Sequence, residues 1–151
     1  MTGMQADYPV ILNIVSSPKS LPIVRGAVDQ MAIQEGLSRK DAHGLVLSID
    51  EALANVIKHG YEGRHDQPVT ITLSPVTAPD GRKGISVVVR DQGKQVDPES
   101  ICGRDLDDVR PGGLGVHIIR AMMDEAEYSC PAEGGMMLRM VKYASSEESN
   151  G

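Results

Sequence analysis

A carboxylate and a carboxamide one helical turn apart, Glu51 and Asn55, are the side chains of this 151-residue chain best spaced to share a chemical task. They lie in the run Ser48-Ile49-Asp50-Glu51-Ala52-Leu53-Ala54-Asn55-Val56-Ile57-Lys58-His59-Gly60-Tyr61. At about 100° per residue the two stack on one face of a helix, opposite the apolar stripe of Leu45, Ile49, Ala52, Leu53 and Val56. Two such oxygens could converge on a hard, hydrated cation. An ordinary solvated helix face is the competing reading, and the pair alone does not decide.

Two other stretches carry chemistry. Asp91 closes a run of β-forming residues, and Gly93 follows it. A strand-end carboxylate can accept from an exocyclic amine, and glycine lets a flat ring approach; a plain turn uses the same residues. Gly112, Gly113 and Gly115, with Leu114 among them, open an apolar-periodic segment. Each glycine disfavours helix by about 1 kcal/mol, which makes sense where backbone N–H groups must meet a phosphate. No Gly-Lys-Ser/Thr follows, so this is not a Walker A loop, and no strand leads directly into a G-x-G-x-x-G.

The elements that must position these residues follow from periodicity. Val10–Val15 reads as a strand. Ser20 is placed to cap a helix that starts at Leu21, carries Val24, Ala27, Val28 and Met31, and stops at Gly36. Ser38-Arg39-Lys40-Asp41 resembles a capping box opening the helix of Glu51 and Asn55, with Gly60 as its C-terminal cap. Val69–Leu73 and Ile85–Val89 flank a Pro79-Asp80-Gly81 turn and predict an antiparallel hairpin. From Lys94 to Pro111 there is no periodicity, a loop of functional length. Leu114, Ile118, Ala121 and Met122 give a third helix its apolar face, and Ala126–Cys130 and Met136–Val141 predict a last hairpin. The order predicts an α+β fold, a two-layer sandwich of a mixed, mostly antiparallel sheet with three helices on one face. Residues 1–8 read as a loose N-terminus, 9–143 as a single domain and 144–151 as a disordered acidic tail.

Composition narrows the function. Phe and Trp are absent and hydrophobic residues make up 40%, so the core must be aliphatic. A net charge of −6 argues against nucleic-acid and anionic-membrane binding and is compatible with a protein partner. No signal-peptide pattern or membrane-length apolar run occurs, so a cytoplasmic location is expected. Cys102 and Cys130 read as thiols, and the four histidines lack ligand spacing, so no transition metal is assigned.

Taken together, E-x-x-x-N on a helix, D-x-G after a hairpin, a long loop and G-G-x-G opening a helix resemble the GHKL superfamily of ATPases and kinases. Asp50-Glu51-Ala52-Leu53-Ala54-Asn55 with His59-Gly60-Tyr61, and Gly112-Gly113-Leu114-Gly115, most resemble its anti-sigma-factor serine/threonine kinases, which carry a histidine-kinase-like ATPase domain of the Bergerat fold. The likeness spans about residues 10–142.

The resemblance implies roles. Asn55 would coordinate Mg²⁺ on the ATP phosphates, and Glu51 would be the general base toward a partner's serine. Asp91 would bind the adenine amine beside Gly93, the Lys94–Pro111 loop would be a lid, and Gly112, Gly113, Leu114 and Gly115 would meet the phosphates. Arg25 falls where these kinases face their protein partner. The implied activity is ATP-dependent phosphorylation of an antagonist (an anti-anti-sigma-type protein) on serine, with a sigma factor or similar target also bound, and with a possible homodimer. A nucleotide-dependent or nucleotide-free sequestering module without catalysis is the alternative, and a small ATPase acting as a conformational clock is a third reading. Gln95 departs from the resemblance, because many family members have glycine or proline there.

Overall fold

The computed structural model describes residues 8–95 and 113–145. Strand β1 (Val10–Val15) leads through a 3-10 turn (Pro18–Ser20) into helix α1 (Leu21–Gln34). Helix α2 (Arg39–Asn55) follows and widens into a π-helical turn (Val56–Gly60). Then come β2 (Pro68–Thr77), β3 (Lys83–Asp91), α3 (Gly113–Met122), β4 (Glu125–Ser129) and β5 (Met137–Tyr143).

The strands form one sheet in the order β1-β2-β3-β5-β4, and every pairing is antiparallel. Among the described residues no strand pair is parallel, so the mostly antiparallel sheet expected from the sequence is antiparallel throughout them. Both predicted hairpins form, with Val69 opposite Asp91 and Ala126 opposite Met140. Register decides the core, because alternate side chains of a strand point to opposite faces. The row Leu12, Ile71, Val89, Leu138 runs across four strands, and Leu73, Val87 and Met140 form the next row. Ile71, Leu73, Val87, Val89, Leu138 and Met140 are buried in one cluster with Val24, Val28 and Met31 of α1 and Leu45, Ile49 and Leu53 of α2. The core is aliphatic, as the absence of Phe and Trp requires.

Local signals worked where backbone geometry demanded one residue type. Gly36 ends α1 region with φ +83°, and Ser38 caps α2 by accepting from the Asp41 N–H at 3.1 Å. Two expectations are corrected. The Ser20 hydroxyl donates to the Val15 carbonyl at 3.1 Å instead of capping α1, and Ser17 caps the 3-10 turn ahead of it. Gly60 is not a left-handed cap: the positive φ values fall on Glu62 and Gly63, after the π turn has closed the helix.

At the other end, the Ala144 N–H reaches the Lys83 carbonyl at 2.7 Å. Ser145 bonds the buried Asp41 carboxylate through its N–H (2.8 Å) and its hydroxyl (2.7 Å). The first two residues assigned to the tail are therefore tied to β3 and to the first turn of α2. Residues 1–7, most of the expected lid and Gly112 lie outside the described residues. No helix among the described residues is long and apolar enough to cross a membrane.

Candidate functional site

Helix α2 supplies the first wall. Gly44, Ser48, Glu51 and Asn55 follow one another at four-, three- and four-residue steps, so they share one flank. That flank meets α3: a Cβ on Gly44 would lie 3.4 Å from the Met122 sulfur. Ser48 is fully buried on the same line, and its hydroxyl has no hydrogen-bond partner among the described residues. Glu51 and Asn55 are half-buried. Neither side chain has a hydrogen-bond partner among the described residues. The backbone of Gly113, Leu114 and Gly115 forms the first turn of α3, as expected from their sequence.

The second wall stands at the end of β3. Asp91 is 3% exposed, and its Oδ1 accepts from the Gly93 N–H at 2.8 Å and the Met136 N–H at 3.3 Å. The Asp91 N–H donates in turn to the Met136 carbonyl at 3.0 Å. With Oδ1 doubly used, Oδ2 is the oxygen without a described partner. Burial raises the Asp91 carboxyl above its usual range, against the two backbone N–H groups and the nearby Arg90 charge that favour ionisation.

Glycine packing joins the two walls. A Cβ on Gly93 would sit 2.5 Å from the Gly60 carbonyl oxygen, closer than real contacts allow, so Gly93 is required by approach rather than by dihedral. The Lys94 N–H donates to that same carbonyl at 2.9 Å. Gly135 (φ +75°) closes the other side, where a Cβ would lie 2.0 Å from the Asp91 carbonyl oxygen. The helix of Glu51 and Asn55 thus ends against the strand terminus that presents Asp91.

Three features went unread in the sequence. Tyr61, 5% exposed, donates to the Pro68 carbonyl at 2.5 Å and accepts from the Gln92 N–H at 2.6 Å. Burial raises its phenol above the usual range. Arg25 is not simply solvated: its Nε grips both oxygens of Asp50 at 2.8 and 3.0 Å, with its side chain 42% exposed. Asp50 directly precedes Glu51 in α2, so this pair ties α1 to the turn of α2 that carries the candidate base. Gln95, the departure from the resemblance, donates to the Pro131 carbonyl at 2.9 Å, a bond neither glycine nor proline could make through a side chain. These are long-range pairings, and only the His59-Gly60-Tyr61 motif hinted at any of them.

Among the described residues there is no group of three His, Cys, Asp or Glu side chains that could hold a metal ion. An ion on this face would be held by few protein ligands, as Mg²⁺ bound chiefly through phosphates and water is.

Comparison with known proteins agrees with this architecture. The chain is similar to the serine-protein kinase RsbW of Staphylococcus epidermidis, with 26% identity over 150 residues covering 94% of this chain and 90% of that protein. The corresponding kinase of Bacillus velezensis is 24% identical over 149 residues, covering 93% and 88%. Among solved structures, the SiaB–SiaC complex from Pseudomonas aeruginosa matches with TM-score 0.62 and 16% identity, covering 87% of this chain and 88% of that one. The RsbU and RsbW domains of Rv1364c from Mycobacterium tuberculosis match with TM-score 0.61 and 18% identity, over 92% of this chain and 33% of that longer one. These two likenesses concern the fold. The histidine kinase-like ATPase domain family matches residues 14–142, and the chain belongs to that family.

Proposed function

We propose that the protein is an ATP-dependent serine/threonine protein kinase of the anti-sigma type, phosphorylating an antagonist protein on serine and binding a sigma factor or comparable target. The observation that carries this reading is the junction of Gly60 with Gly93 and Asp91. It supports reading the half-buried carboxylate–carboxamide pair of α2 and the buried strand-end carboxylate as parts of one site. Similarity to serine-protein kinases over nearly the whole chain supports the same reading.

Each residue has a distinct task. Asp91 Oδ2 accepts from the adenine exocyclic amine, a donor that guanine lacks at that position. Gly93 leaves room for the ring. The first turn of α3, with Gly113 and Gly115, turns backbone N–H groups toward the phosphates, and Gly112, Leu114 and the loop from Lys94 to Pro111 complete that side. Asn55 is the residue that would hold Mg²⁺, whose charge would neutralise the phosphate oxygens. Its carboxamide is half-buried and has no described partner, which fits a ligand.

Transfer itself asks little covalent chemistry of the protein. Glu51 takes the proton from the acceptor serine hydroxyl as that oxygen bonds to the γ-phosphorus. The bond from this phosphorus to the β–γ bridging oxygen breaks, leaving phosphoserine and ADP. Arg25, held by Asp50 and partly exposed, orients the partner protein.

Glu51→Gln tests the assignment. It keeps size and polarity but cannot take the proton, so phosphate transfer to the antagonist should fall by about 10²–10⁴-fold with ATP binding nearly unchanged. Transfer at the wild-type rate would remove Glu51 as the base. Absence of ATP binding at millimolar concentration by calorimetry would remove the kinase altogether.

A further inference from the structure

The geometry points to Tyr61 as a positioning residue for nucleotide-base recognition: its hydroxyl bolts the end of the helix that carries Glu51 and Asn55 to the segment that presents Asp91. This inference rests on the reading of Asp91 as the base-binding carboxylate, and adds a residue that touches no substrate.

Four contacts make the bolt. The Tyr61 hydroxyl donates to the Pro68 carbonyl at 2.5 Å and accepts from the Gln92 N–H at 2.6 Å, spending its single proton and one lone pair on two separate segments. Pro68 opens β2, and Gln92 directly follows Asp91, the last residue of β3. One residue earlier, the Gly60 carbonyl accepts from the Lys94 N–H at 2.9 Å, and Gly60 is the backbone that Gly93 packs upon. The Tyr61 N–H itself donates to the Val56 carbonyl at 2.8 Å, closing the π turn just beyond Asn55. The turn after α2 is therefore fixed at both ends, to the helix by backbone and to Asp91's segment by the phenol.

The consequence is geometric. Gly93 N–H fixes Asp91 Oδ1, so any shift of residues 92–94 rotates the carboxylate and redirects Oδ2, the oxygen left for the base. Asn55 belongs to α2 and Gly113 and Gly115 to α3, and the hydroxyl bonds neither element. Loss of the hydroxyl should therefore cost recognition of the base and spare recognition of the phosphates. A purely structural tyrosine would lower thermal stability without separating the two.

The experiment compares dissociation constants for Mg·ATP and Mg·inorganic triphosphate in the wild-type protein and in Tyr61→Phe, which keeps the buried ring and removes both hydroxyl bonds. ATP should bind about 3- to 10-fold more weakly, the scale of one hydrogen bond, with triphosphate within a factor of two. Equal losses for the two ligands, or no loss for ATP in a folded variant, would overturn the proposal. Tyr61→Met also fills the buried volume without a hydroxyl and serves if Tyr61→Phe does not fold; it should show the same ATP-selective loss, and a loss shared equally by both ligands would overturn the proposal. The wild-type protein separates the two readings. If it binds ATP no better than triphosphate, the assignment of Asp91 fails and takes this one with it. A wild-type preference for ATP that survives intact in Tyr61→Phe overturns the role of Tyr61 alone.

Discussion

At the end of β3 an aspartate that is 3% exposed must keep its charge against burial, and its folded carboxyl is raised above the ordinary range. For a carboxyl raised on folding, the stabilising contribution is present below the unfolded value and is lost as pH rises through the folded one. Asp91→Asn retains an oxygen for the Gly93 and Met136 N–H groups but has no charge to desolvate. It should melt at or above the wild-type temperature at neutral pH, with the gap closing in acid, when the two are compared by calorimetry. The same variant should bind ATP more weakly while inorganic triphosphate is little affected, because in the proposed assignment only the base meets this side chain. Asn55→Ala should weaken Mg·ATP with no such discrimination, the ion having lost a preorganised ligand. The types and spacing of Glu51, Asn55, Asp91 and Gly93 were legible because each sits at a fixed offset within one local element. The partners Arg25–Asp50 and Tyr61–Gln92 were not, because they pair residues far apart in sequence through tertiary packing.

Elements were legible to the extent that their signals were periodic. Among the described residues the three α-helices and five strands were placed from alternation and i, i+3, i+4 spacing, and both hairpins paired as their turns implied. Ends were harder. The sequence places a glycine cap at Gly60, yet the chain widens into a π turn first, because the Tyr61 N–H reaches the Val56 carbonyl five residues back. Nothing in the local propensities of Val56 to Gly60 specifies that. Gly135 shows the opposite case, a glycine demanded by its surroundings twice over, by φ +75° and by the Asp91 carbonyl. Gly135→Ala should destabilise the fold by about 2–4 kcal/mol, from overlap added to a left-handed backbone. Urea titration would measure it; a change below about 0.5 kcal/mol would mean the turn relaxes freely.

Over the whole molecule, the sheet order and the tethering of the chain's end come from contacts that no window of sequence contains. Asp41, on the first turn of α2, is buried, which alone would raise its carboxyl; the two bonds from Ser145, with Ser38 and Lys142 nearby, outweigh this and lower it. A carboxyl lowered on folding stabilises above its unfolded value, and that contribution is lost as pH falls through the folded one. Removing the chain from Ser145 onward should therefore lower the melting temperature at neutral pH. The deficit should shrink below about pH 4, as the ionised carboxylate that Ser145 serves disappears. A deficit independent of pH would assign the effect to backbone contacts such as Ala144 with Lys83.

The aliphatic core has an optical consequence. With no tryptophan and four tyrosines, ultraviolet emission of the protein comes from phenol rings alone. One of them, Tyr61, is buried with its hydroxyl held between a carbonyl and the N–H that follows Asp91. The intensity of a phenol depends on what its hydroxyl is bonded to, so the native chain carries a label-free reporter at the joint between its two site walls. Titrating a ligand that absorbs little in that range, such as inorganic triphosphate, would read that joint directly.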